Sequence, residues 1–466
     1  MRRIYRYTTI ILLLAITASC KKSFLEIKPK GIVIASKTSD YDLLLNNLDL
    51  INIGTNAQHI LGDEIVMKDP AYTGASFREK QLYKWDYNVY NPEEDATETL
   101  MPVKGLYLYN KIIGEVMQST EGSETVKKSL QAEALTGRAW TNFLLINYYG
   151  KPYHPATASG DPGFPLITKA DVNATDYRRA SVQAIYDQIV SDLTTAIPNL
   201  INTGVQHRIR VSKATAQGLL AKVYIFMGRY AEALPLLNES ISNLGQSAMQ
   251  TALYNFNTVN PGYPTTVNDI ENVYSKNMAN NYISANQTLV YLTPEAAALF
   301  GPSDLRFTRW MANSFTFPNG VKLYKRGATS VSFWGLRVPE LYLFRAEVKA
   351  RAEDIAGAVS DLEYLRQNRM PAADAKVPAT AQASKMALLQ FIMDERIREF
   401  AVTGYRWYDM RRLSVDPLFG NTINFQHKVY DANGNIKETF TLNNVSQFVF
   451  TLPPKIVAEN PNINNF

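Results

Sequence analysis

A mostly α fold of paired helices, interrupted by two loop-rich stretches and followed by a β-hairpin, is the class this sequence predicts. Three observations carry it. Apolar residues recur at helical spacing over about 92–244 and again over 336–412. Within those spans a tetratricopeptide-like pattern of small residues occurs twice. Residues 54–91 and 245–335 lose the periodicity and fill with Gly, Asn and aromatic side chains. Composition agrees: 466 residues, 46% hydrophobic and 20% charged, suffice for a large core and are too apolar for bulk disorder. Of 48 Lys and Arg, Arg2, Arg3 and Arg6 lie in the first seven residues, and the remainder nearly balance the 43 Asp and Glu. The charge therefore gives no reason to invoke nucleic acid.

The first element is a leader. Met1 to Tyr7 is basic, Thr8 to Ile16 is apolar, and Thr17, Ala18 and Ser19 are small, followed by Cys20, the single cysteine. This reads as a secretory signal over residues 1–19, with an apolar run too short to span a bilayer, which takes ~20 residues. A cysteine directly after the small residues is what lipidation requires, so Cys20 is the expected anchor. Two or more acyl chains, at about 0.8 kcal/mol per buried CH₂, tether a protein stably without spanning the membrane. Residues 20–466 are read as one domain.

The helices follow in order. Asn91-Pro92-Glu93-Glu94 reads as a capped helix start, with Leu106, Tyr109, Ile112, Ile113 and Val116 on one face. Ser123 opens a second helix, ended by Gly150, and the two form an antiparallel hairpin. Ser181 caps a third, with Ile185, Ile189 and Leu193 inward. Ser212 caps a fourth that Gly228 ends, and a fifth runs from Tyr230 to about Leu244. Leu220-Ala221, Tyr224, Gly228, Tyr230, Ala233 and Leu237 give the tetratricopeptide spacing, placing Ala221 and Gly228 where helices approach closely. Ala346, Ile355, Ala358, Leu362 and Leu365 form a weaker copy, far enough away to exclude a plain tandem array. Residues 384–412 read as one last long helical stretch. Phe425–Tyr430 and Ile436–Leu442 alternate around Asp431-Ala432-Asn433-Gly434-Asn435, a hairpin signal.

Several ordered segments together resemble one family. They are Cys20 with Phe24-Leu25-Glu26; Ala132-Glu133-Ala134-Leu135, Arg138-Ala139, Tyr148-Tyr149-Gly150 and Pro152; and Ser212-Lys213-Ala214-Thr215-Ala216 leading to Leu219-Leu220-Ala221-Lys222-Val223-Tyr224. Further on come Arg337, Glu340-Leu341-Tyr342-Leu343 and Ala346-Glu347; Glu395-Arg396, Arg398-Glu399-Phe400, Gly404, Arg406-Trp407-Tyr408-Asp409 and Arg411-Arg412; and finally Leu452-Pro453-Pro454, Ile456 and Asn460-Pro461. The chain resembles the SusD/RagB family of outer-membrane nutrient-binding lipoproteins over nearly all of its mature length. The resemblance implies a right-handed superhelix of tetratricopeptide-like helix pairs, with a loop-rich ligand-binding half and a few short β-hairpins. It also implies an outward-facing, lipid-anchored, non-enzymatic protein. Such a protein partners a SusC-like TonB-dependent β-barrel transporter and captures oligosaccharides or, in some members, peptides.

Read residue by residue, the sequence offers little catalytic chemistry. His59, His154, His207 and His427 have no second histidine within helical reach, and no phosphate loop or nucleophile elbow is present. Asp431-x-Asn433-x-Asn435 opens like a calcium loop, but Ile436 and Leu442 replace the required Gly and Glu, which favours a hairpin turn. No metal or cofactor is expected. A surface hydrolase, which needs two converging carboxylates, and a tetratricopeptide scaffold that binds only proteins are the rival functions. The charged run Glu395–Arg412 is read as ion pairs and caps between packed helices, and Trp140 and Trp407 as core. Trp85 stays undecided. The candidate ligand contacts are loop aromatics: Trp310, Trp334 and Phe315, with Tyr72 and Phe77. A flat ring suits the C–H face of a sugar, and the competing reading of each is packing against the scaffold.

Overall fold

The computed structural model describes residues 35–200, 207–246, 250–262, 268–279, 289–311, 313–327, 331–420 and 423–464. The leader and Cys20 lie outside them. The helices of eight or more residues are α1 Thr38–Leu45, α2 Thr97–Glu115, α3 Glu124–Tyr149, α4 Val182–Ala196, α5 Lys213–Phe226, α6 Tyr230–Asn243, α7 Val338–Arg351, α8 Ile355–Gln367, α9 Lys385–Phe400 and α10 Tyr405–Leu413. The fold is mostly α, as the sequence predicts.

Local chemistry sets several boundaries where expected. Ser123, Ser181 and Ser212 each accept a backbone N–H of the first turn, from Val126 at 3.3 Å, Ala184 at 3.1 Å and Thr215 at 3.1 Å. Two expectations fail. Asn91–Glu94 forms only a turn, in which the Asn91 N–H donates to Glu94 Oε2 at 3.3 Å, and α2 begins at Thr97. Its start is fixed instead by Glu98, fully buried, which accepts from Thr55 Oγ1 at 2.5 Å and Tyr90 Oη at 2.9 Å and pairs with Arg78. The stretch 384–412 is two helices, because Val402 and Gly404 both adopt positive φ between α9 and α10.

The tetratricopeptide-like pairs are present as α5–α6 and α7–α8. Ala221, Ala233, Ala346 and Ala358 are all fully buried. The close approach lies at Gly218 rather than Gly228: a Cβ at Gly218 would sit 2.6 Å from Leu336 Cδ2 and 2.9 Å from Leu341 Cδ2. Gly228 has open space around it and is glycine because its φ is +73° at the end of α5. Lys222 of α5 joins the two pairs through Glu340 of α7 at 3.0 Å.

The stretches without helical periodicity supply most of the strands. β1 (Ile65–Lys68), β5 (Tyr291–Leu292), β6 (Asn313–Thr316), β7 (Lys322–Lys325), β9 (Phe425–Tyr430) and β10 (Ile436–Leu442) form one sheet in the order β10-β9-β1-β5-β7-β6. β1 and β9 are parallel and the other pairs antiparallel. Two smaller sheets pair β2 (Pro162–Pro165) with β3 (Arg179–Ser181), and β4 (Asn272–Ala279) with β8 (Val331–Arg337). The six-stranded sheet curls until its two hairpin tips touch, Asn319 Nδ2 donating to the Gly434 carbonyl at 2.8 Å. Val66, Tyr291, Phe317, Leu323 and Tyr430 fill the space inside the curl. Trp85 packs against the sheet: it stacks on the His427 ring at 3.8 Å and donates from Nε1 to the Leu61 carbonyl at 2.9 Å.

Candidate functional site

The charge-rich last third of the chain is structural. Five arginines, Arg306, Arg337, Arg366, Arg369 and Arg398, interlock with five carboxylates, Asp269, Glu271, Asp304, Glu395 and Glu399. Arg306 reaches Glu395 and Glu399 of α9 at 2.7 and 3.0 Å, so the network fastens the short helix Leu305–Trp310 to the helical scaffold. Burial alone would raise the Glu395 carboxyl, but Arg306, Arg398 and Arg366 hold it well below the usual carboxylate range. A second set joins α7, α9 and α10 through Arg396–Asp409 at 2.6 Å and Arg412–Glu347 at 2.7 Å. Arg411 differs: it pairs with no acid among the described residues, is pushed down to about 10 by burial, and donates to the carbonyls of Gly150, at 2.7 Å, and Phe448. It thereby caps the end of α3.

The five candidate aromatics do not form one cluster. Trp334, on β8, is 5% exposed and lies 4.5 and 4.8 Å from the rings of Tyr405 and Tyr408. The expectation of an open loop position fails there, because strand alternation turns Trp334 toward α10. Tyr72, also 5% exposed, is packed between Tyr83 and Phe440. Trp310 ends the short helix Leu305–Trp310 and is half-buried, edge-on to Phe256 at 5.5 Å, with the Arg326 guanidinium 4.3 Å from its ring centroid. Arg326 is held in turn by the Ala401 carbonyl at 2.8 Å. Phe77 is 48% exposed at the first position of the helix Phe77–Tyr83. Phe315, on β6, is 36% exposed. Trp310, Phe315 and Phe77 are thus the three that reach solvent.

Phe315 has company that the sequence reading missed. The Lys68 ammonium, at the end of β1, lies 4.1 Å from the Phe315 ring centroid and 5.9 Å from that of Tyr291. The signal was present in Ile65-Val66-Met67-Lys68, a run of strand formers ending in a cation. What brings it to Phe315 is the curl of the sheet, which no local pattern encodes. A second missed feature is Glu64, buried behind β1. Its Oε1 accepts the Val402 N–H at 3.3 Å, its Oε2 has no partner among the described residues, and burial aided by Asp63 raises it to about 7. Among the described residues no group of three or more His, Cys, Asp or Glu is placed to hold a metal ion. The Asp431 turn closes on itself, with Asp431 Oδ1 accepting from the Asn433 and Asn435 N–H groups at 2.8 and 2.9 Å.

Comparison with known proteins gives this arrangement a context. No curated protein matches the sequence. Solved structures do match, at low identity. A SusD superfamily protein from Bacteroides vulgatus superposes with a TM-score of 0.70 at 19% identity, over 92% of this chain and 98% of that one. One from Bacteroides thetaiotaomicron gives 0.69 at 18%, over 92% and 99%. A SusD-like carbohydrate binding protein from Bacteroides vulgatus gives 0.69 at 16%, over 92% and 97%. These likenesses establish the fold. Two family models then cover the sequence almost end to end: "Starch-binding associating with outer membrane" matches residues 23–225, and the SusD family model matches residues 239–465. With the two models matched in sequence over residues 23–225 and 239–465, this protein belongs to the SusD family.

Proposed function

We propose that this protein is a lipid-anchored, non-catalytic binding protein of the outer membrane. It captures an oligosaccharide at the cell surface and delivers it to a TonB-dependent β-barrel transporter. The observation that carries the reading is the pair of family matches over residues 23–225 and 239–465. A binding role rather than hydrolysis is supported by the engagement of the buried carboxylates Glu347, Glu395, Glu399 and Asp409 by arginines, which leaves them poorly suited to proton transfer. No helix among the described residues is long and apolar enough to cross a membrane, and Cys20 is the proposed point of attachment.

Two measurements test this. The purified full chain in detergent is screened against an oligosaccharide array and a peptide library; binding of glycans supports the proposal, and binding of peptides alone overturns it. Separately, Cys20→Ser releases the protein from the outer membrane. If that variant still fractionates with membranes in cells lacking the transporter, the anchor is wrongly placed.

A further inference from the structure

Two cations of the curled sheet have their charge met by acids. Lys437 pairs with Asp69 at 2.6 Å, and Lys428 pairs with Glu295 at 2.7 Å. Asp69, the acid next to Lys68, is further occupied by Thr73 Oγ1 at 2.7 Å. The Lys68 ammonium makes no ion pair or hydrogen bond among the described residues; it meets only the rings of Phe315 and Tyr291. The internal stretches outside the described residues contain no Asp or Glu, so none of them can supply a carboxylate. Lys68 is half-buried, and that burial, with no acid to oppose it, lowers its pKa. Lys325 on β7 is lowered by burial as well. Its partner across the ladder is Asn313 on β6, the strand that carries Phe315.

A partly desolvated ammonium without a counter-charge, beside an aromatic ring that is still open to water, is an unfinished recognition site. Cation–ring contact compensates only part of the lost hydration. An anion compensates far more, since hydrogen bonds to charged groups are the strong ones. A sugar ring laid on the open part of Phe315 would carry a ring substituent to the ammonium. A neutral hydroxyl there would leave the charge unmet; a carboxylate or a sulfate ester would meet it.

We propose that Lys68, Phe315 and Tyr291 form a subsite for an anionic sugar, a uronate or a sulfated residue, within the bound glycan. This rests on the carbohydrate-binding reading above and narrows it to a substrate class. Phe315 supplies the platform, Lys68 the ion pair, and the curl of the sheet holds the two together.

The test uses the purified full chain in detergent and calorimetry against matched probes: oligogalacturonate and its methyl ester, oligomannuronate and its methyl ester, and kappa-carrageenan fragments, sulfated galactans without uronate, with their neutral desulfated counterparts. The uronate and sulfate arms separate the two sources of charge. The expected result is binding of at least one acidic probe about tenfold or more tighter than its neutralised partner. That preference disappears in Lys68→Met, is kept in Lys68→Arg, and weakens as salt is raised. Thermal melts of both variants control for folding. The subsite is overturned if neutral glycans bind while acidic ones gain nothing over them, or if Lys68→Met keeps the preference. Failure of every glycan with capture of peptides would instead overturn the carbohydrate reading itself, so the two failures are distinguishable.

Discussion

The arginine network of the helical scaffold and Lys68 of the curled sheet treat charge in opposite ways. In the scaffold, Arg306, Arg369, Arg396 and Arg412 are buried and each faces carboxylates at 2.6–3.0 Å. In the sheet, Lys68 faces two aromatic rings and no acid. A closed network of matched ions fixes how elements pack and offers nothing to a ligand. A cation left among rings at the edge of solvent costs stability slightly and keeps its chemistry available. Buried arginines therefore serve architecture in one region, and a lysine is left for the proposed subsite in the other.

The harshest way to probe that contrast is to break the network. Arg306→Met leaves Asp304, Glu395 and Glu399 without one of their counter-ions in the interior, and a loss of about 3–5 kcal/mol in denaturant unfolding is expected. A change under ~1 kcal/mol would mean the network contributes little, and the contrast with the sheet would dissolve.

Packing comes next. Ala221 is fully buried in α5, so Ala221→Leu overfills the contact and should cost about 1–3 kcal/mol by thermal or chemical melt. Unchanged stability would place the tetratricopeptide-like contact elsewhere.

Glu64 sharpens the comparison at the boundary of the two regions, where β1 meets the α9–α10 connection. Its folded pKa is raised to about 7, above the ordinary 4.5, so the folded state holds a proton that the unfolded state has released. The stability this contributes is present below about pH 4.5 and is lost as pH rises through about 7, a swing on the order of 1–3 kcal/mol. Glu64→Gln keeps the acceptor for the Val402 N–H and should flatten the profile between those limits. A slope identical to the parent's would show that Glu64 is not its source.

The smallest effect on folding belongs to the sheet. Phe315→Ala removes a ring that is 36% exposed and packs edge-on against Phe317 at 4.9 Å, so a stability change of about 1 kcal/mol or less is expected, together with weakened glycan binding. A large destabilisation with binding intact would make Phe315 a core residue and move the site toward Trp310.

How much of this was legible depended on distance along the chain. Ser123, Ser181 and Ser212 announced their helices because a cap and its target N–H lie three residues apart. The hairpin around Asp431 was legible for the same reason. The start of α2 was not, because Glu98 and its partners Thr55, Arg78 and Tyr90 decide it from outside the helix. Trp310 and Trp334 look alike in sequence, and only packing separates the half-buried ring beside Arg326 from the one enclosed by Tyr405 and Tyr408.

The sequence by itself determined the helical class, the serine caps of three helices, the buried alanines of the helix pairs and the family resemblance, since each of these is written in spacings of a few residues or in the order of motifs. The tertiary structure alone decided which aromatic rings reach water and which cations find a counter-charge. The meeting of Lys68 with Phe315 depends on strands from residues 65–68, 291–325 and 425–442 joining in one curled sheet, and the burial of Trp334 on β8 packing against α10. Burial and electrostatic pairing are properties of neighbours in space, and the two rings that meet Lys68 lie more than two hundred residues beyond it in the chain.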